Sequence, residues 1–249
     1  FPALAGRRLA LRGPRDDDID AMFALFSDPE VMRYWSRPPM TARGEAEGYV
    51  AEIGEAFAER SKLNWMVVRR ADDVAIGTCT LFRFEPRHRR AEIGYALRPD
   101  HWGQGYAGEA VGLALDWAFR TLGLHRIALY VFEFNERAIR AYKRCGFVVE
   151  GRSRESIWRD GRWWDEMAMS VLESDWRARR DALGPEAEAH AAATSCETDR
   201  PLRPIEDHEA SSGGDPSNFA KGRLPKCRFR ARARDGVIRS KRQIPGELQ

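Results

Sequence analysis

The middle of the chain contains two strand-like runs joined through a helix, and this unit restricts the possible folds more than any other feature. Residues 90–98 and 125–132 have the apolar and β-branched content of strands, and residues 106–121 place apolar side chains on one helical face. Strands joined through a helix are normally parallel neighbours with a right-handed connection. The chain is therefore expected to be an α/β protein with one parallel strand pair.

The remaining elements predict antiparallel neighbours around that pair. Their order along the chain is strand, two helices, three strands, helix, strand, helix and hairpin. Further strands are expected at 7–13, 64–70, 74–84, 147–158 and 162–172, and further helices at 19–26, 41–58 and 135–145. Asp160-Gly161 joins the last two strands and is typical of a hairpin turn. This pattern indicates a mixed sheet.

The hydrophobic periodicity stops near residue 180. Beyond that point the sequence contains Gly184-Pro185, an alanine-rich patch, and a run over 221–242 with ten basic residues against one acid, Asp235. Such a segment buries too little apolar area to offset its ordering entropy. We therefore predict one folded domain over 1–178 and a mostly disordered, charge-segregated tail over 179–249.

Composition narrows the class of protein. The 249 residues carry a formal net charge of +3, and no run approaches the roughly 18 apolar residues that a membrane helix needs. The chain starts at Phe1 without a basic and apolar leader, and its four cysteines lack C-x-x-C spacing. His101 and His125 lack the spacing of metal ligands. These features predict a cytoplasmic protein with no membrane segment and no metal.

The six residues Gly103-Gln104-Gly105-Tyr106-Ala107-Gly108 join the predicted strand 90–98 to the predicted helix. Small residues let backbone N–H groups approach a ligand, and a helix N-terminus adds about half a positive charge. The turn therefore predicts a pyrophosphate site.

Two kinds of ligand fit such a turn. A dinucleotide-binding unit would use the G-x-G-x-x-G spacing and an acid after the next strand, here Glu133, which would make the protein a nicotinamide-dependent reductase. Against that reading, Pro99 to Trp102 separate the strand from the first glycine, and no repeated strand–helix–strand units surround the turn.

The residues downstream favour the second reading. The chain contains AEIGYALRPDHWGQGYAGEA (91–110), LGLHRIALYV (122–131) and NERAIRAYKRCGF (135–147). In this order the three segments resemble the GNAT N-acetyltransferase superfamily, and in particular its RimJ/RimL-like branch, which acetylates ribosomal proteins. The resemblance extends over about residues 7–176 and departs from the usual loop at Trp102, where Gln or Arg is common.

The resemblance implies a three-layer α/β/α fold with a splayed, mostly antiparallel sheet, and acetyl-CoA as the acetyl donor. By similarity, the strand edge at Ala96 and Leu97 would pair with the pantetheine arm. The turn Gly103–Gly108 would hold the pyrophosphate, and Asn135 would contact the donor near its reactive end.

Three residues are candidates for acid–base catalysis. Tyr142, seven residues after Asn135, corresponds to the tyrosine that faces the thiol in this family and is our candidate proton donor. Glu92, between apolar residues on the strand before the turn, is the first candidate for the general base. Glu155 on the terminal hairpin is the rival candidate, because RimL-like enzymes take a carboxylate from that region.

The acceptor must be a neutral primary amine when it attacks. At pH 7, deprotonation costs about 1.4 kcal/mol for an α-amine and about 4.6 kcal/mol for a lysine amine. The lower cost and the resemblance favour a protein N-terminal α-amine, with a small amine such as an antibiotic or polyamine as the alternative. A further alternative outside enzymes is an RNA- or ribosome-binding protein, because the basic run 221–242 could contact an anionic partner.

Overall fold

The computed structural model describes residues 1–183. These residues form an eight-stranded sheet in the order β1-β2-β3-β4-β5-β6-β8-β7. The strands are β1 (Leu4–Ala5), β2 (Leu9–Arg12), β3 (Lys62–Arg69), β4 (Val74–Glu85), β5 (Arg90–Leu97), β6 (Arg126–Phe132), β7 (Val148–Arg159) and β8 (Arg162–Leu172). Only β5 and β6 pair in parallel among these strands, as predicted for the central unit.

Within residues 1–183, six α-helices cover the two faces of the sheet. They are α1 (Ile19–Ser27), α2 (Pro29–Met32), α3 (Arg43–Ala58), α4 (Tyr106–Arg120), α5 (Glu136–Arg144) and α6 (Glu173–Leu183). One core lies between the sheet and the side carrying α4, α5 and α6, and includes Trp65, Ile93 and Leu115. The second core lies on the opposite face beneath α1 to α3, and includes Phe26 and Met66. The predicted three-layer architecture is therefore confirmed.

Helix α4 follows directly from its sequence. Its buried side chains recur every three to four residues, as in Ala110, Ala114, Leu115 and Ala118, so one face packs against the sheet. Helix α5 is capped by Asn135, whose Oδ1 accepts from the backbone N–H of Ala138 at 3.2 Å. It ends before Gly146, which adopts a positive φ of 96°.

The sequence patterns did not predict the last helix, α6. Helix α6 runs through Leu183, so the predicted domain boundary at residue 178 falls inside it. Trp176 packs against Phe119 with ring centroids 5.4 Å apart, and Arg180 forms an ion pair with Asp116 of α4. The apolar content of this helix is low, and one tryptophan attaches it to the core. The run 221–242 and the rest of the predicted tail beyond Leu183 lie outside the described residues.

Candidate active site

The parallel strands β5 and β6 separate in the middle of the sheet. They pair only over Arg90–Glu92 and Arg126–Ala128, although β5 continues to Leu97 and β6 to Phe132. The other edge of each strand is held by β4 or β8 over its length. The result is a cleft whose walls are the unpaired halves of β5 and β6.

The free edge of β5 can be assigned from the hydrogen-bond register. Arg98 donates its N–H to Ile76 of β4 at 3.0 Å, and Ala96 pairs with Thr78. Alternate residues of an antiparallel strand turn their backbone groups to the same side. The backbone groups of Tyr95 and Leu97 therefore face the cleft, whereas the carbonyl of Ala96 points at β4.

This register corrects one part of the predicted donor contact. A Cβ on Gly77 of β4 would lie 2.1 Å from the Ala96 oxygen, so that carbonyl is directed into the sheet. Leu97 keeps its predicted position on the cleft edge, and Tyr95 replaces Ala96 as its partner. The sequence motif predicts the position of strand β5, but it does not predict which alternate residues turn their backbone groups toward the cleft.

The turn Gly103–Gly108 lies at the end of β5 and the start of α4. Gly103 and Gly105 have φ of 76° and 78°, which disfavours any residue with a Cβ. Gly105 is the N-cap of α4 and makes no side-chain cap, so the first amides of the helix are left for a ligand. A Cβ on Gly103 would meet nothing within 4 Å, so no side chain fills the turn on that side.

Arg8 and Glu109 hold this turn in place, and the sequence reading did not identify them. Glu109 accepts hydrogen bonds from the backbone N–H of Arg8 at 2.7 Å and of Leu9 at 3.1 Å, and from Arg8 Nε at 2.9 Å. Arg8 Nη1 also donates to the Gln104 carbonyl at 2.9 Å. Burial opposes ionisation of Glu109, but these hydrogen bonds outweigh it and lower the pKa of the carboxyl.

Trp102 occupies the position where the family often has Gln or Arg. Its indole Nε1 donates to the Leu97 carbonyl at 2.7 Å, so it closes the loop between β5 and the turn. The guanidinium of Arg137 lies 3.3 Å from the Trp102 ring centroid. Trp102 therefore holds the Arg137 guanidinium of α5 against the loop that leads into the glycine turn.

Tyr142 lies on α5 and Asn135 is the N-cap residue of that helix, and both are buried. The Tyr142 ring packs against the rings of Tyr95 and Phe147, each with centroids 5.3 Å away. Burial raises the pKa of Tyr142 well above its usual value, even though the Tyr95 backbone amide faces the phenol oxygen and lowers it. The phenol is therefore protonated at neutral pH and lies beside the free edge of β5.

Glu92 lies on β5 at the last pair before the strands separate. Its side chain points to the face covered by α1 and α3, because it shares that face with Ala96 of the second core. Both carboxylate oxygens lie within 3.2 Å of Arg83 Nη1, and the Glu92 side chain is 18% exposed. Glu92 is therefore close to the cleft but already engaged by a guanidinium.

Glu155 lies farther from the cleft. It is exposed on the edge strand β7, which β8 separates from β6. It sits in a bulge with a φ of 51°, and its N–H donates to Asp165 Oδ1 at 2.7 Å. Its backbone is thus fixed by Asp165, and no described contact joins its side chain to Tyr142 or Glu92.

No described group of three or more His, Cys, Asp or Glu side chains within residues 1–183 has metal-site geometry. Burial raises the pKa of Cys145 to about 11 and that of Cys79 to about 12, which disfavours the thiolates. No helix of the described part is long and apolar enough to cross a membrane.

The geometry of the cleft defines a class of protein. A splayed strand pair offers backbone groups to an extended arm, the glycine turn offers amides to a diphosphate, and a protonated phenol lies against Tyr95 of β5. These features fit a coenzyme A thioester and the N-acyltransferases that use it.

Comparison with known families identifies the class more closely. The model of the acetyltransferase (GNAT) domain matches residues 8–148, and the chain belongs to this family. The alternative prediction from the glycine turn, a nicotinamide-dependent reductase, is therefore wrong.

Two similar proteins illustrate the range of the family. The chain is 35% identical over 172 residues to the uncharacterized N-acetyltransferase YoaA of Bacillus subtilis (strain 168), covering 69% of this chain and 97% of that protein. It is 32% identical over 174 residues to the spermidine N(1)-acetyltransferase of Vibrio cholerae serotype O1, covering 70% of this chain and 98% of that one.

Solved structures agree with the fold. The spermidine N-acetyltransferase of Vibrio cholerae in complex with CoA and spermine has a TM-score of 0.62 and 29% identity, covering 68% of this chain and 98% of that chain. A GNAT-family acetyltransferase from Bacillus anthracis has a TM-score of 0.63 and 26% identity, covering 69% of this chain and 99% of that chain. The chain is therefore an N-acetyltransferase by family, while the RimJ/RimL branch is not singled out.

Proposed function

We propose that this enzyme transfers the acetyl group of acetyl-CoA to a primary amine by direct attack in a ternary complex. The observation that carries the proposal is the separation of β5 from β6 beside the open turn at Gly103, with the Tyr142 ring packed against Tyr95 of β5. The CoA-bound relative from Vibrio cholerae supports the choice of donor.

The donor would enter on the side of α4 and α5. Amides of the turn Gly103–Gly108 would receive the pyrophosphate, with Gln104, Tyr106 and Ala107 contributing through the backbone. The Tyr95 carbonyl and the Leu97 N–H would pair with the pantetheine amides, as an added strand would, because the Leu97 carbonyl already accepts from Trp102 Nε1. Asn135 uses Oδ1 to cap α5, so its contact with the donor would be made through Nδ2.

The amine would enter from the opposite face, beneath α1 and α3. Attack on the thioester carbonyl forms a C–N bond and breaks the C–S bond, and the amine proton must leave. Glu92, on that face of the sheet, would take this proton directly or through water. Tyr142 would donate a hydrogen bond or a proton to the leaving thiolate. Because its pKa is raised, the phenol keeps its proton at neutral pH.

The names of the relatives point to two kinds of amine acceptor. Enzymes acting on spermidine by name favour a small-molecule amine. A putative ribosomal N-acetyltransferase, YdaF of Bacillus subtilis, is 28% identical over 109 residues and keeps the protein N-terminal amine as the alternative. Both acceptors would be acetylated by the same transfer chemistry.

A free-thiol assay with acetyl-CoA and a panel of amines tests the proposal. Thiol release that depends on the amine, together with a mass-detected N-acetyl product, is the expected result. Release that is independent of the amine, or calorimetric binding of NAD with no binding of CoA, would overturn it.

A further inference from the structure

Four arginines line an open cavity at the end of the sheet that carries the glycine turn. The cavity has a volume of about 430 Å³ and lies between the turn joining β1 to β2, the turn joining β3 to β4, and the first residue of α4. Its lining residues are Arg7, Arg8, Arg69, Arg70, Ala71 and Tyr106. The donor and acceptor contacts of the proposed function do not account for this arginine cavity.

The arginine cavity has more positive than negative charge. Arg8 pairs with Glu109 at 2.9 Å, and Arg69 pairs with Asp72 at 2.5 Å. The other two lining arginines form no ion pair with a carboxylate of residues 1–183. Four guanidinium groups therefore face two paired carboxylates, which leaves a surplus of two positive charges.

The two arginines without a carboxylate partner are exposed and can meet a ligand. For the Arg7 side chain, residues 1–183 provide no hydrogen bond or ion pair. Arg70 donates through Nη1 to the Gly6 carbonyl at 2.6 Å, and its Nε and Nη2 have no acceptor among the same residues. Asp73, the remaining acid of the turn between β3 and β4, pairs with Arg15 at 4.0 Å. The surplus charge is therefore held mainly by Arg7 and Arg70.

The arginine cavity adjoins the glycine turn through Arg8 and Tyr106. Arg8 Nη1 donates to the Gln104 carbonyl at 2.9 Å, and the guanidinium carbon of Arg8 lies 4.6 Å from the Tyr106 ring centroid. Arg8 Nη2 lies 3.4 Å from the position that a Cβ on Gly105 would take. Because Gly105 is the N-cap of α4, the cavity lies beside the helix end that is proposed to receive the pyrophosphate.

Coenzyme A carries a third phosphate close to its pyrophosphate. A ribose follows the pyrophosphate, and its 3′-hydroxyl is esterified with phosphate, so this group lies one sugar away. A phosphate monoester carries about −1.5 to −2 charges at pH 7, which matches the surplus of two positive charges at the arginine cavity. Arginine suits such a ligand because its planar guanidinium donates two parallel hydrogen bonds to phosphate oxygens.

Helix α5 offers other cations on the opposite side of the glycine turn. Arg137 lies over the Trp102 ring at 3.3 Å, and Arg140 pairs with Glu136 at 2.9 Å. The last two cations of α5 lie in its final turn, at the end opposite to Arg137. The arginine cavity instead brings two guanidinium groups without a carboxylate partner next to the N-cap of α4, so the charge distribution favours the cavity.

We propose that the arginine cavity binds the 3′-phosphate of the acetyl donor, with Arg7 and Arg70 as its main ligands and Arg8 between the cavity and the pyrophosphate. This inference rests on the proposed function and specifies which form of the donor the enzyme selects. The enzyme then discriminates acetyl-CoA from acetyl-3′-dephospho-CoA, although both carry the same thioester, pantetheine arm and pyrophosphate.

The test compares these two donors on the wild-type enzyme at a saturating concentration of one accepted amine. The donors differ only at the 3′-phosphate, so any difference in kinetics reports its contacts. Loss of the charge-assisted hydrogen bonds should raise the donor KM by roughly tenfold or more, with a change in kcat of less than about twofold. The Kd values of CoA and 3′-dephospho-CoA, measured by calorimetry, should differ by a similar factor.

Variants then locate the 3′-phosphate. In the double variant Arg7→Met/Arg70→Met, the KM for acetyl-CoA should rise while that for acetyl-3′-dephospho-CoA stays unchanged, so the ratio of the two KM values falls toward one. Lysine at both positions should retain part of the ratio, because it keeps the charge but not the planar fork. Arg87→Met/Arg140→Met is the matched control, because it removes two exposed arginines that lie outside the cavity lining, and its ratio should equal that of wild type.

The outcomes separate this inference from the proposed function. Equal KM values of the two donors with wild type overturn the inference and leave acetyl transfer intact. A wild-type difference that Arg7→Met/Arg70→Met retains, or that Arg87→Met/Arg140→Met removes, overturns the assignment of the 3′-phosphate to the arginine cavity. No amine-dependent turnover of either donor overturns the proposed function itself.

Discussion

The glycine turn offers a test in which backbone strain and ligand contact can be separated. Gly103 and Gly123 both have positive φ, of 76° and 64°, and a Cβ on either would meet nothing within 4 Å. Gly123 follows the far end of α4, a helix of 15 residues and therefore about 22 Å long. The substitutions Gly103→Ala and Gly123→Ala thus impose the same local penalty at opposite ends of one helix.

The magnitudes can be worked out in advance. An alanine held in the left-handed region costs roughly 1–2 kcal/mol relative to glycine, so both variants should lose about 1–2 kcal/mol of unfolding free energy. For a domain of this size that lowers Tm by about 2–4 °C per kcal/mol. Only Gly103→Ala also places a methyl group where the pyrophosphate should bind, so only it should raise the KM for acetyl-CoA, by tenfold or more, or about 1.4 kcal/mol.

The assays are thermal unfolding and the free-thiol assay at varied acetyl-CoA. Equal Tm losses combined with unequal KM values are the expected result. Equal KM values in the two variants would refute the placement of the diphosphate at this turn. Unequal Tm losses with equal KM values would show that the turn is a structural feature only.

Four further predictions concern catalysis, pH and the domain limit. Tyr142→Phe should lower kcat about 100-fold with less than a twofold change in the KM for acetyl-CoA, and an unchanged kcat removes the phenol as proton donor. Glu92→Gln should lower kcat most at low pH, in a pH–rate profile, and the same effect from Glu155→Gln instead would transfer the role of base to the hairpin. The pKa of Glu109 is lower in the folded protein, so its carboxylate stabilises the fold above the unfolded pKa of about 4.5, and this stability is lost as pH falls through the folded pKa. The free energies of unfolding of Glu109→Gln and wild type, measured in urea, should therefore converge in acid. A difference that stays constant with pH would contradict the stabilising contact between Glu109 and Arg8. A chain ending after Leu183 should keep acetyl transfer, whereas loss of transfer would show that residues beyond it contribute.

The layout of the fold could be predicted because its strongest patterns are local. The strand, glycine turn and helix over 90–121 carry their own periodicity and turn chemistry, and the structure confirms the parallel pair that they imply. Helix α6 was missed because its attachment depends on a tertiary contact, Trp176 with Phe119, in a polar segment.

Candidate site residues could be proposed from the sequence only where a motif marks them. The glycine spacing singles out Gly103 to Gly108 and the family resemblance singles out Tyr142, but the alternation that turns Tyr95 rather than Ala96 toward the cleft depends on the pairing with β4. Arg8 lies far from the motif along the chain and stands among many other arginines. Its contact with Glu109 depends on tertiary packing, which no spacing along the chain records.

The most direct measurement is a single-turnover reaction of the purified enzyme with acetyl-labelled acetyl-CoA, quenched with and without an amine acceptor and read by mass spectrometry of both protein and amine. Direct attack across the β5–β6 cleft predicts label on the amine, none on the protein, and no loss of thioester when the amine is left out. Label retained on a side chain such as Cys145, or thioester consumed without an amine, would contradict it.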